Sequence, residues 1–159
     1  KFLDALEKLE NSKEFKEWKK ENPKSYLAHG FVMDSEKKEK EWQIGYFNPE
    51  TEKILTFILA EEILINPESE VMNKKIEKLD KTKIKITIEE AFVESDRVQK
   101  EKYSAHPPLK KIAILQKTNG EQIWNITYVT MTFKTINIQV DAQNGNVVSD
   151  KIVEVFKFD

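Results

Sequence analysis

The chain has 159 residues with 26 basic against 28 acidic side chains, a formal net charge of −2, so no long-range field draws it to a polyanion or a polycation. Arg97 is the single arginine among lysines, and bidentate recognition of bases and phosphates leans on arginine, which argues against nucleic acid as a partner. Cysteine is absent, so disulfides, thiolate metal sites and a cysteine nucleophile are excluded.

With 39% hydrophobic residues the chain can fold as one domain or as two small ones sharing a core. No apolar run approaches the roughly 20 residues that span a bilayer. The sequence starts at Lys1, which suits a mature form or fragment whose export signal or anchor lies outside it, and equally a piece of a cytosolic protein.

In chain order, Phe2, Leu3, Leu6, Leu9, Phe15 and Trp18 recur at three- and four-residue spacing among charges, which predicts an amphipathic helix over 2–21. Asn11 followed by Glu14 can start a capping box, so two helices are expected to meet near Asn11-Ser12, with Pro23 ending the second. A strand is predicted from Tyr26 to Met33, then a solvated charged hairpin tip from Asp34 to Glu41. Trp42, Ile44 and Tyr46 alternate as one face of a strand, and Ile54 to Leu59 form another that is apolar on both faces apart from Thr56. From Glu61 to Ile86 a strand, broken at Pro67, is expected to run into an irregular connector.

Thr87-Ile-Glu-Glu90 reads as a capping box opening a helix whose inner side carries Ile88, Ala91, Phe92, Ser95 and Val98, stopped by Pro107-Pro108. Residues 109–116 read as a strand. Asn119-Gly120 makes a tight hairpin. Trp124, Ile126 and Tyr128, and then Ile136, Ile138 and Val140, alternate with polar residues as two facing strands, and Asn144-Gly145 turns the chain into a further strand. Ile152 to Phe158 is apolar enough to need cover, which pairing across the two halves would supply.

Trp42, Ile44 and Tyr46 map onto Trp124, Ile126 and Tyr128 at a constant offset, which Leu27 and Leu109 share. That internal correspondence predicts two copies of one supersecondary unit. The expected fold is α+β, two units each with a helix packed on an antiparallel β-sheet: 1–65, a connector at 66–86, and 87–159.

The stretch Val140-Asp141-Ala142-x-Asn144-Gly145-x-Val147, with the helix and strands before it, resembles the PepSY domain over roughly residues 86–156. The first half has the strands without a clear copy of that tail. The resemblance implies a cystatin-like arrangement of helix on sheet, and a non-catalytic extracytoplasmic or cell-surface module of the kind found in thermolysin-like peptidase propeptides. It implies binding or inhibition of a secreted or membrane peptidase or another cell-envelope protein, with any membrane anchor outside this sequence.

The residues offer little chemistry of their own. The four glycines stand apart at 30, 45, 120 and 145, so no phosphate-cradling loop is present. His29 and His106 lack metal-ligand spacing and read as ordinary strand or surface histidines. Glu61-Glu62 and Glu89-Glu90 are neighbours whose side chains diverge, and no serine stands in a nucleophile-elbow setting. Asn125-Ile-Thr127 matches a glycosylation sequon inside a strand, where an unmodified Asn is expected. Asp141 reads as a turn-stabilising carboxylate. No catalytic residue, metal ligand or cofactor is therefore expected. Trp42, Tyr46, Trp124 and Tyr128 read as core residues or, in the functional alternative, as the binding surface. A small-molecule carrier or enzyme using the concave face of the sheet is the other reading.

Overall fold

The computed structural model describes residues 1–34, 40–71 and 75–154. The apolar spacing at the N-terminus folds as two short helices, α1 (Phe2–Glu10) and α2 (Lys13–Glu21). Ser12 rather than Asn11 caps the second: its Oγ accepts the Phe15 amide at 3.2 Å and donates to the Leu9 carbonyl at 2.6 Å, so one hydroxyl closes α1 and opens α2.

Strands β1 (Tyr26–Met33), β2 (Trp42–Asn48), β3 (Lys53–Leu59) and β4 (Ile63–Glu70) follow. Pro67, expected to break the fourth, lies within it, because β4 is an edge strand and its pairing with β3 is irregular near that point. The expected hairpin tip at 34–41 falls mostly outside the described residues, as does part of the connector. Thr87 and Glu90 make the predicted capping box and start α3 (Ile88–Lys102). β5 (Pro108–Thr118) and β6 (Glu121–Thr130) are joined through Asn119 and Gly120, both at positive φ (50° and 83°), the backbone that a two-residue hairpin requires. β7 (Lys134–Asp141) and β8 (Val147–Glu154) complete the chain as described.

The strands form one eight-stranded antiparallel sheet in the order β4-β3-β2-β1-β5-β6-β7-β8. Two separate sheets were expected. Instead β1 pairs with β5 from His29–Gln116 to Met33–Ile112, which fuses the halves at the centre. β8, expected to pair across the halves, pairs with β7 and forms an edge. Its expected continuation past Glu154 lies outside the described residues.

The three α-helices among the described residues lie on the sheet face that carries Trp42, Ile44, Tyr46, Trp124, Ile126 and Tyr128. That layering places one continuous core between helices and sheet. Small residues at the centre of that face make it possible. A Cβ on Gly30 would stand 2.3 Å from the Phe2 ring, so glycine there lets α1 lie close on β1.

The connector after residue 75 closes one end of this core by hydrogen bonds rather than by regular structure. Leu79 N donates to Leu27 O at 2.9 Å, and Lys85 N and Ile86 N both donate to Ala142 O. Leu79 and Ile84 are buried, and Trp124 Nε1 donates to Ile86 O at 2.9 Å.

Candidate functional site

Three regions stand out when the side chains are followed from the sheet outward: the aromatic core, the two sheet edges, and a cleft at the connector end. Trp42, Tyr46, Trp124 and Tyr128 are at most 4% exposed. Their rings face the helices, so together they form no exposed binding surface, although Tyr46 borders the cleft described below. Period-2 alternation identifies a strand's apolar face, and a helical layer covers that face here.

Tyr128 belongs to a polar network at the α3 side. Its Oη lies 2.7 Å from Ser95 Oγ and donates to Asp96 Oδ1 at 2.5 Å. Lys111 Nζ reaches the same carboxylate at 3.1 Å and Asp34 at 3.5 Å, and stands 4.2 Å from the centre of the Phe92 ring. Burial, then the bond to Asp96, raises the Tyr128 phenol well above its ordinary range. These partners describe a satisfied structural network.

Other singled-out residues have structural partners as well. Asp141 Oδ1 accepts the amides of Gln143 at 2.8 Å and Asn144 at 3.1 Å, the turn-stabilising role its position suggested. Asn125 Oδ1 accepts from Asn137 Nδ2 at 2.5 Å inside the sheet. His106 Nδ1 lies 2.7 Å from Thr132 Oγ1, and the His29 ring covers Gly45. Among the described residues no group of three or more His, Asp or Glu side chains is placed to hold a metal ion. No helix among them is long and apolar enough to cross a membrane.

The sheet edges differ. On β4, Leu64 and Ile65 are half exposed, but Pro67, Glu68 and Glu70 and the irregular pairing interrupt the edge. These are devices that discourage strand addition. β8 has no proline, its irregular pairing with β7 falls at its start, opposite Val147–Ser149, and beside the charges Asp150 and Lys151 it leaves Val148, Ile152 and Val153 47%, 38% and 42% exposed. Asp150 is held inward by Tyr103 Oη at 2.6 Å and Lys102 Nζ at 2.9 Å. The Tyr103 phenol is pushed up to about 12, first by that hydrogen bond.

The third region is a cleft of about 780 Å³ where the α1–α2 junction, the starts of β1 and β5–β6 hairpin, and the connector meet. Phe15, Leu27 and Leu79 supply apolar wall, and lysines from three elements stand around it. Nothing in the sequence pattern marked it, because its residues come from segments far apart in the chain.

An α+β protein with one antiparallel sheet under a single helical layer is thus defined. No family model and no curated protein matches the sequence. Among solved structures, the fold is similar to a crystal structure described as a "putative lipoprotein" from Clostridium difficile 630. The TM-score is 0.57 at 13% identity, over 88% of this chain and 90% of that one. At that identity the likeness is one of fold.

Proposed function

We propose that this chain is a non-catalytic extracytoplasmic binding module of PepSY type that takes an extended segment of a partner protein onto the free edge of β8. The observation that carries the reading is the contrast between the edges: β8 is free of proline and lined by exposed Val148, Ile152 and Val153, whereas β4, of the same length, carries Pro67 and an irregular pairing at its middle. Strand addition works through main-chain hydrogen bonds, so it needs few special side chains, and the chain offers few.

A tandem origin, with units at 1–65 and 87–159 joined by 66–86, accompanies this proposal. Its support is that Trp42 and Trp124 lie in the second strand of each half, on the same sheet face. Neighbouring registers differ by one residue: Trp42 faces Leu59 while Trp124 faces Val140. The Leu27–Leu109 pairing is weaker, since Leu27 is buried and Leu109 is 67% exposed. The extracytoplasmic setting takes support from the description of the Clostridium difficile neighbour as a "putative lipoprotein" and from the PepSY-like tail.

The partner expected from the PepSY resemblance is a secreted or membrane peptidase. Titrating the purified chain against a co-expressed secreted peptidase tests the proposal with variants of both edges. Val153→Lys, or a proline placed mid-strand in β8, should weaken the complex at least about tenfold while the thermal unfolding midpoint moves little. Leu64→Lys on the other edge should bind as wild type. Equal binding by the β8 variants, or loss of binding only in Leu64→Lys, overturns the proposal.

A further inference from the structure

Two hydroxyls in the core are out of place energetically. Ser25 Oγ and Tyr46 Oη are enclosed, on residues 3% and 4% exposed, and neither has a hydrogen-bond partner among the described residues. Buried hydroxyls are almost always paired, and leaving one unpaired costs its desolvation. A phenylalanine at position 46 would make the same ring contacts with Phe15, Trp18 and Phe57 without that cost. Both residues line the same cleft at the connector end of the sheet.

The charges around the cleft define what it would accept. Lys19, Lys78, Lys81 and Lys117 line it against two carboxylates, Glu10 and Asp80. Both carboxylates are engaged: Glu10 pairs with Lys81 at 3.4 Å, and Asp80 accepts from the Thr82 amide at 3.0 Å and its hydroxyl at 2.6 Å. Lys19 is anchored too, donating to the carbonyls of Pro23 and Ser25. Lys78 and Lys117 make no ion pair among the described residues, so the cleft keeps two uncommitted positive charges. Its volume of about 780 Å³ falls in the range of small-molecule sites.

We infer that this cleft binds a small organic carboxylate with an apolar body. Phe15, Leu27 and Leu79 cover the body, Lys78 and Lys117 neutralise the carboxylate, and the Ser25 and Tyr46 hydroxyls, which have no partner among the described residues, supply hydrogen bonds to it. This combination of apolar wall and a few convergent polar groups is how ligand sites achieve both affinity and orientation. The site is separate from the β8 edge, so it stands or falls independently of the protein partner.

The test is a titration of the whole chain, followed by amide chemical shifts. The probes are straight-chain and aryl alkanoates of about four to ten carbons, each with its primary amide. Saturable shifts at Ser25, Leu27 and Leu79 are expected, with carboxylates at least about tenfold tighter than their amides. Lys78→Gln and Lys117→Gln should each weaken binding about three- to tenfold, and Tyr46→Phe should weaken it without lowering the unfolding midpoint. Val153→Lys should bind the same probes as wild type even where it loses a protein partner. The inference is overturned if no probe saturates the cleft, if amides bind as well as carboxylates, or if the Lys78, Lys117 and Tyr46 variants all bind like wild type.

Discussion

Trp42 and Trp124 stand 6.0 Å apart, centre to centre, although two strands separate β2 from β6 in the sheet. Phe2 lies edge-on to both, at 5.3 and 6.5 Å. The contact depends on the small core-face residues Gly30 and Ala113 of β1 and β5, over which large neighbours can lean. One helix and both halves of the sheet therefore share a single aromatic cluster, and the halves should unfold together.

Trp124→Ala removes this joint and the hydrogen bond to Ile86. A destabilisation of about 3–5 kcal/mol is expected, as for truncation of a buried aromatic. Urea unfolding followed by circular dichroism measures it. A loss below about 1 kcal/mol would mean that the cluster does not hold the halves.

Gly30→Ala tests the close approach of α1 to the sheet. The added methyl meets the Phe2 ring at 2.3 Å, so α1 must move outward or the ring must turn. Overpacking of this kind costs about 1–3 kcal/mol. In the Phe2→Ala background the methyl finds room, so the two changes should be strongly non-additive in a double-mutant cycle. Additive losses would show that Gly30 matters for backbone reasons alone.

Much of this arrangement was legible before the structure, and the part that was not has a common cause. Local signals worked where one segment decides the outcome: the Thr87–Glu90 capping box, the Asn119-Gly120 hairpin, the alternating residues of β6 and β7, and the Asp141 turn. They failed where a distant segment decides. Pro67 reads as a break until β4 is known to be an edge. Nothing local in β1 or β5 says that they pair with each other. Trp42 and Trp124 show the same alternation whether a helix or a partner covers them, and the cleft exists only once α1, α2, β1, β2, the end of β5 and residues 78–82 converge.

Acid should weaken the fold through His29. Burial lowers its pKa below the ordinary value of 6.5, so the unfolded chain takes up the proton more readily than the folded one. Stability is then fully present above about pH 6.5 and falls as pH drops toward the lowered folded value. Asp80 and Asp150, held below the usual carboxylate range mainly by hydrogen bonds from Thr82 and Tyr103, contribute their losses only in more acidic solution. Thermal unfolding between about pH 7.5 and 5 should show a decline that His29→Gln flattens. An equal decline in wild type and variant would assign the effect to other groups.

Removing a hydroxyl should have opposite consequences at the two buried tyrosines. Tyr128 Oη is bonded to Ser95 and Asp96, so Tyr128→Phe strips a buried network of its centre and leaves Ser95 with only a 3.3 Å contact to the Phe92 carbonyl. A loss of about 1–3 kcal/mol is expected. Tyr46 Oη has no partner among the described residues, so Tyr46→Phe relieves a desolvated hydroxyl and should leave stability unchanged or raise it by up to about 1 kcal/mol. The two substitutions delete the same atom from rings buried to nearly the same degree, 4% and 1% exposed, so transfer of apolar area cancels in the comparison. Parallel denaturant unfolding of the two variants reads the difference directly. Tyr46→Phe as costly as Tyr128→Phe would mean that the Tyr46 hydroxyl is already satisfied in the free protein, for instance by enclosed water, and that the cleft beside it has less reason to hold a ligand.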